Sequence, residues 1–420
     1  MKVKGLALLA LALPLAAAPV HAGNGHNLHG IGAVNSSMGG AGVAVAVDPL
    51  GALLLNPALL TKLDGSRFAF SAEYNSASNA VESTAGPFSG RTEEDGDTAL
   101  IPAFGFTQHT ADSRFAWGVG FLGLAGFGVD YPQDPTNPIL SPQPFGFGRV
   151  YSNYQLLKVP TTVAWQVNDA LSIGASLNAA RATLTASPAG FGTPDCSGPA
   201  GPCFFPSVNA DSAWGFGLGV GLHYQVNPAF ALGLSYQSET EFEDFEWNSA
   251  VANPGLPTFG QRRKVTLQLN APAVAVAGIG FTPGDKLTIA ADAKWINYAD
   301  TEGFADVLGF EDIMVYDIGL QYRLTDKLTL RGGYNIAENA IPEELTFLNV
   351  SVPAIFEDRV SGGLGIRVSE SVELNAAYYH VFENRITGPF LGPTGPVPGT
   401  SVTTEMAMDS LVLTFNFNLQ

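Results

Sequence analysis

Charge is what this sequence has least of. Of its 420 residues, 14% are Asp, Glu, Lys or Arg while 46% are apolar, whereas about a quarter of a soluble domain is charged. An ordinary water-facing surface is therefore excluded. Cations are the scarcer sign: 20 Lys and Arg stand against 38 Asp and Glu, a net charge of −18. Without a basic footprint for phosphates, nucleic-acid binding is set aside. Histidines beyond residue 22 are few and scattered, at His26, His29, His109, His223 and His380, and no Gly-x-Ser-x-Gly elbow accompanies them. Nothing there pairs a nucleophile with a base, so the chain does not read as an enzyme. His26 and His29 stand three apart without a third ligand, a polar terminus more than a metal site. No metal and no cofactor are expected. Long apolar runs are missing too, since no stretch beyond the N-terminus reaches the ~18 residues of a spanning helix. The nearest candidate, 41–60, contains Asp48-Pro49 and Pro57, which suits short broken pieces packed inside protein.

The 48 glycines and 28 prolines are plentiful but aperiodic, which fits a turn-rich fold and not collagen. Residues 1–22 open with Lys2 and Lys4, continue through an apolar stretch and end in Val20-His21-Ala22, a secretory signal with cleavage expected after Ala22. In an exported chain the two cysteines, Cys196 and Cys203, in a Pro/Gly-rich loop, are expected to form a local disulfide.

From residue 66 onward the dominant period is two. Trp214, Phe216, Leu218, Val220, Leu222, Tyr224 and Val226 alternate with Gly215, Gly217, Gly219, Gly221, His223 and Gln225. Met314 to Leu324 repeats the pattern. One face is bulky and apolar and the other is small or polar, as when the first meets lipid and the second a lumen. Fourteen such segments are counted, at 66–80, 97–109, 113–131, 149–167, 170–187, 211–226, 229–247, 263–281, 286–299, 312–324, 327–338, 354–368, 371–386 and 402–419. Short connections alternate with long ones. That alternation and the even count predict an all-β fold, a fourteen-stranded antiparallel transmembrane barrel over 66–420, because a closed sheet leaves no unpaired edge in lipid. Trp165, Trp214, Trp247, Trp295, Tyr298 and Tyr378 fall near segment ends, where an aromatic girdle sits.

Residues 23–65 remain, nearly uncharged and rich in Gly, Ala and Leu. Such a segment needs shielding from water, and the lumen is the simplest place, so it is expected to form an N-terminal hatch that plugs the barrel. Asp292, Lys294, Asp317, Arg323 and Arg331 point inward from neighbouring segments as a candidate lumen network, structural first because pairing avoids isolated buried charge. The acidic runs at 93–97 and 239–246 read as solvated rim charge facing lipopolysaccharide.

Several motifs in order resemble the FadL family, the long-chain fatty acid and hydrocarbon transporters of the Gram-negative outer membrane. They are Gly39-Gly40-Ala41-Gly42, Asp48 and Asn56-Pro57-Ala58-Leu59-Leu60; then Phe115 to Gly120 with Gly126; then Trp214-Gly215-Phe216-Gly217, Tyr236-Gln237-Ser238, Lys294-Trp295, Leu330-Arg331-Gly332-Gly333-Tyr334, and Arg359 followed by Ser361-Gly362-Gly363-Leu364-Gly365. The resemblance implies a monomer in outer-membrane lipid, a hatch with Asn56, Pro57, Ala58, Leu59 and Leu60 at its centre, and a hydrophobic small-molecule site beside it. It also implies a kinked third strand, with Phe121, Gly123, Leu124, Ala125 and Gly126 forming a lateral gate that ligand-driven hatch movement opens. Two departures stand out. The 188–210 loop is short and Pro-rich where fatty-acid members have a helical loop, so the outer capture groove is expected to be absent or rebuilt from 132–147. Gly309-Phe310-Glu311-Asp312 is acidic where a carboxylate would want a cation, which adds weight to a neutral hydrocarbon. A general porin or a structural barrel with a water-filled lumen is the alternative reading.

Overall fold

A computed structural model describes residues 24–419 apart from 96, 111, 199–200 and 393; the expected cleavage after Ala22 lies outside the described residues. The period-two segments become fourteen wall strands: β1 Gly65–Ala85, β2 Asp97–His109, β3 Phe115–Tyr131, β4 Val150–Gln166, β5 Leu171–Ser187, β6 Val208–Asn227, β7 Phe230–Gln237, β8 Ala273–Phe281, β9 Leu287–Asn297, β10 Ile313–Arg323, β11 Leu328–Ala337, β12 Asp358–Arg367, β13 Val372–Gly388 and β14 Thr400–Leu419. Each pairs antiparallel with its neighbours, and β14 returns to β1, so the sheet closes on itself. No helix among the described residues is long and apolar enough to cross a membrane. The alternation sets the two faces: Trp214, Phe216, Leu218 and Val220 are exposed on the outside, while His223 and Asp317 are buried within. A row of outward apolar side chains is stable only against lipid.

Two expectations need correction. The segments 229–247 and 263–281 are not continuous wall strands: β7 ends at Gln237 and β8 begins at Ala273. Between them, Glu241–Phe242 pairs back onto β6, and Phe245–Ala250 with Arg262–Leu267 forms a separate hairpin. Glu239, Glu241, Glu243 and Asp244 cannot face hydrocarbon, so the chain leaves the wall there while keeping its period. The girdle also loses two members. Trp165, Trp214, Trp295 and Tyr378 are exposed, whereas Trp247 and Tyr298 are buried; Trp247 stacks on Phe245 at 5.5 Å beneath the outer loops.

Inside the barrel lie α1 Gly32–Ser37, α2 Pro49–Leu55 and a tight helical turn, Pro57–Lys62. Asp48 caps α2 by accepting from Gly51 N at 2.8 Å, with Pro49 as its first residue, a pairing suited to a helix start. The segment is apolar yet rests on a polar inner wall, so short helices satisfy its own backbone first.

Candidate functional site

The hatch residues sit where the wall is cut back to receive them. Asn56 accepts from Ala58 N at 3.0 Å and donates to Val43 O at 2.8 Å and to Leu222 O of β6 at 3.0 Å. One side chain thus ties the tight turn, the preceding hatch loop and the wall. A Cβ at Gly221 would lie 2.0 Å from the Asn56 Oδ1, so glycine there leaves the space Asn56 fills. Pro57 opens the turn, and Ala58, Leu59 and Leu60 are fully buried. Gly39 adopts φ +67°, and its backbone lies against Gly333 of β11, where a Cβ would come within 2.1 Å of the Gly39 nitrogen. Both need glycine, one for its conformation and one for close approach.

The five candidate network residues divide into groups. Lys294 pairs with Asp317 at 2.5 Å, and Asn335 donates to the other Asp317 oxygen. Beside them Asp292 accepts from Gly42 N at 2.7 Å and Val43 N at 2.9 Å, while Lys294 donates to His29 O at 3.1 Å and Gly40 O at 3.4 Å. This group fastens the hatch loop and the chain before α1 to the same wall. Arg331 belongs elsewhere, bonded to Gln321 at 2.7 Å and Asn375 at 2.8 Å. Arg323 is exposed and, with Arg331, lines a polar mouth of about 460 Å³ at the short-turn end.

The third strand is the break in the wall. β3 pairs with β2 from His109–Ala116 as far as Ala103–Leu122, and among the described residues that ladder goes no further. Beyond it β2 runs on beside β1, and β3 beside β4. The next β2 residue is Pro102, which has no N–H to offer, and the next β3 residue is Gly123. Pairing with β4 jumps from Gly123–Leu157 to Ala125–Leu156, leaving Leu124 as a bulge, which bends a strand. Asp95 N meets Asp130 O at 3.3 Å near the outer end, so the gap is a window and not an open edge. Phe121 is exposed to lipid just below it; Leu124 and Gly126 are buried.

The N-terminal segment covers this window from within. Leu28 N donates to Leu124 O at 3.0 Å, and the Leu28 side chain packs against Ala99 and Ile101 of β2. His29 meets Tyr379 edge-on at 4.5 Å, and burial together with Arg359 and Lys294 holds its pKa well below the usual imidazole range. His26 sits among Phe127, Phe304 and Phe310. Behind the segment is a cavity of about 80 Å³ lined by Leu28, Leu55, Leu124, Leu156, Val276 and Ile296, with Lys158 and Lys294 at its edge. Lys158 donates to Gln237 at 2.5 Å, and Gln237 to Leu54 O at 2.5 Å. A second apolar cavity of about 120 Å³ lies under the outer loops between Phe127, Phe147, Phe191, Phe205, Leu308 and Phe347. An outer pocket therefore exists, built from 132–147, from the 188–210 loop and from three further connections, between β7 and β8, β9 and β10, and β11 and β12. Cys196 and Cys203 are joined in that region, where Arg263 holds Asp195 at 2.6 Å.

Sequence reasoning missed Lys158, the Leu28 cover and the His26 cluster. Lys158 carried a faint signal, a lone cation between apolar residues at an inward position.

A closed fourteen-strand barrel with an internal hatch, apolar cavities and a window toward lipid defines a hatched outer-membrane transport channel. Residues 15–419 match the family described as outer membrane protein transport protein (OMPP1/FadL/TodX), and the chain belongs to that family. It is similar to the long-chain fatty acid transport protein of Escherichia coli O6:H1, 22% identical over 397 residues, covering 81% of this chain and 83% of that one. Among solved structures, the P. putida toluene transporter TodX superposes with a TM-score of 0.71 at 19% identity, covering 93% of this chain and 99% of that one. A Pseudomonas aeruginosa FadL homologue gives 0.74 at 16%, covering 94% and 100%.

Proposed function

We propose that this barrel admits hydrophobic small molecules across the outer membrane by passive diffusion, and that they leave sideways through the β3 window into lipid. One observation carries the reading: Leu28 covers a gap in the wall whose inner side opens on an apolar cavity. An alkyl chain gains ~0.8 kcal/mol per methylene withdrawn from water, so an exit through the arginine-lined polar mouth runs uphill while the window does not. Lys294 bonds both the window cover, at His29, and the hatch loop, at Gly40; a ligand that displaces one loosens the other. Asn56 through Leu60 anchor the hatch, and the span from Phe121 to Gly126, Ala125 included, forms the gate. The working form is the exported chain without residues 1–22, a monomer surrounded by phospholipid and lipopolysaccharide, because closure of β14 on β1 offers no strand edge to a partner.

The relatives are named for toluene and for long-chain fatty acids, and the favoured substrate here is a neutral hydrocarbon. A fatty acid is the second reading, supported by Lys158 at the cavity edge as a partner for its carboxylate. Uptake of radiolabelled toluene and oleate by a deletion strain carrying this gene decides between them: toluene uptake is expected to depend on the gene, and dependence of neither overturns the transport reading. A Lys158→Met variant that loses oleate uptake alone favours the second. In planar bilayers the hatched barrel is expected to pass almost no ion current, whereas a steady large conductance identifies a general porin.

A further inference from the structure

Cations are scarce in this chain, 20 Lys and Arg against 38 Asp and Glu, so carboxylates to pair with them are abundant. Four of those cations nevertheless gather round one cavity, the polar mouth of about 460 Å³ at the short-turn end, which faces the periplasm. Arg67 comes from β1, Arg323 from β10, Arg331 from β11 and Arg367 from β12, and the alternation along each strand turns them inward. Asp48 of the hatch, Glu373 of β13 and Glu370 of the β12–β13 turn line the same space.

Two of the four arginines are uncommitted. Neither the Arg323 nor the Arg367 side chain makes a hydrogen bond or ion pair among the described residues. Glu373 stands directly across the ladder from Arg367, yet it lies against Arg331, at 3.6 Å. Arg331 is held in place by neutral groups: Gln321 accepts from its Nε at 2.7 Å and Asn375 from its Nη1 at 2.8 Å. Its Nη2 has only Glu373, beyond hydrogen-bond length. The Arg331 side chain is 5% exposed, and glycine at 365 makes room for it, since a Cβ there would lie 2.9 Å from the Arg331 Nη1 and 2.5 Å from the Asn375 Oδ1.

We propose that this mouth is a binding site for a soluble phosphoryl oxyanion carrying at least two negative charges, held by Arg323, Arg331 and Arg367. A lone exposed guanidinium holds an ion weakly, because water and salt screen it. Guanidiniums on three adjacent strands act together on an anion that reaches them at once. Set along a curved wall, they meet it from different directions, which suits the tetrahedral oxygens of a phosphoryl group better than the single plane of a carboxylate. Their inward orientation keeps out lipid headgroups, which lie outside the wall, so the ligand comes from the periplasmic solution. Val45 to Pro49 of the hatch line the cavity as well, and an occupied site closes the polar mouth beneath the hatch. Anion binding here is independent of the cargo and of the window.

The test uses the full barrel in phosphatidylcholine nanodiscs and measures equilibrium binding of radiolabelled pyrophosphate at about 0.15 M salt, with heat-modifiable mobility confirming a folded barrel for each variant. Saturable binding is expected. Arg323→Gln and Arg367→Gln are each expected to weaken it about tenfold, and Glu373→Gln, which removes a competing carboxylate, to tighten it about threefold. Arg149→Gln removes a cation paired with Asp130 at 2.6 Å on the opposite, outer rim, and should leave binding within about twofold. No saturable binding, wild-type affinity in both Arg323→Gln and Arg367→Gln, or an equal loss in Arg149→Gln overturns the proposal. So does displacement by succinate as readily as by inorganic phosphate, which would mean that charge and not the phosphoryl group is recognised.

Discussion

The seam where the barrel closes and the window in β3 solve opposite problems with the same kind of strand. β1 and β14 pair without interruption from Ser66–Leu419 to Ala85–Thr400. β2 and β3 pair only from Ala103–Leu122 to His109–Ala116. The difference follows from connectivity. The seam strands come from opposite ends of the chain, so pairing alone must offset the entropy of bringing them together, which grows with the length enclosed. β2 and β3 are joined by a short turn and remain neighbours with few bonds. A hairpin is therefore where a wall can be opened at least risk to the barrel, and the opening lies where Pro102 and Gly123 stop the ladder.

Removing the bulge should break this comparison most severely. Deleting Leu124 makes the β3 register continuous with β4, since Gly123 and Ala125 already face adjacent residues, Leu157 and Leu156. Uptake is expected to fall by more than about tenfold, a barrier increase of roughly 1.4 kcal/mol or more, with the heat-modifiable band intact. Unchanged uptake means that the window is not the exit. A seam substitution should do the reverse. Leu411 faces lipid between Tyr74 and Tyr378, and Leu411→Arg is expected to destabilise the barrel by about 2–4 kcal/mol in denaturant titration if it lies near mid-bilayer, while barrels that do fold keep wild-type uptake. Asn56→Ala is smaller in stability. It removes two donated bonds and one accepted bond, and about 1–3 kcal/mol for buried partners left unpaired should appear as flickering ion current through a loosened hatch and not as loss of the barrel.

Legibility in the sequence followed the same division. Strand number, closure and the plug could be read because lipid, lumen and hatch impose one-dimensional patterns: period two, alternating loop lengths and an uncharged segment. The boundary at Gln237 could not, because Glu239, Glu241 and Glu243 around Phe242 keep the alternation after the chain has left the wall. The network residues were recognised as inward facing, yet their grouping depends on strand stagger, which places Lys294 beside Asp317 and Arg331 beside Gln321. His26 read as part of a polar terminus because its ring partners, Phe127, Phe304 and Phe310, are distant in sequence and converge only once the barrel has closed.

The last contrast is between groups that titrate and groups that do not, and it concerns the hatch. Asp48 is 1% exposed and caps α2 with one oxygen, while the other oxygen is buried without a hydrogen-bond partner among the described residues. Burial raises its carboxyl from 3.8 to about 6, against the lowering pull of Gly51 N and Arg331. A raised carboxyl prefers the proton when the hatch is docked. Docking is therefore strongest below pH 3.8, weakens as the pH rises to about 6 and is level above that. Hydrogen exchange of the α2 amides, corrected for intrinsic rates, should show less protection at pH 7.5 than at pH 4.5, on the order of tenfold, while amides of the β1–β14 seam keep the same protection. Asn caps helices as well as Asp does, so Asp48→Asn should keep the helix and abolish the difference. If wild-type α2 is equally protected at both pH values, the buried carboxyl does not govern docking, and the hatch is held without it by ties such as those of Asn56, Asp292 and Lys294.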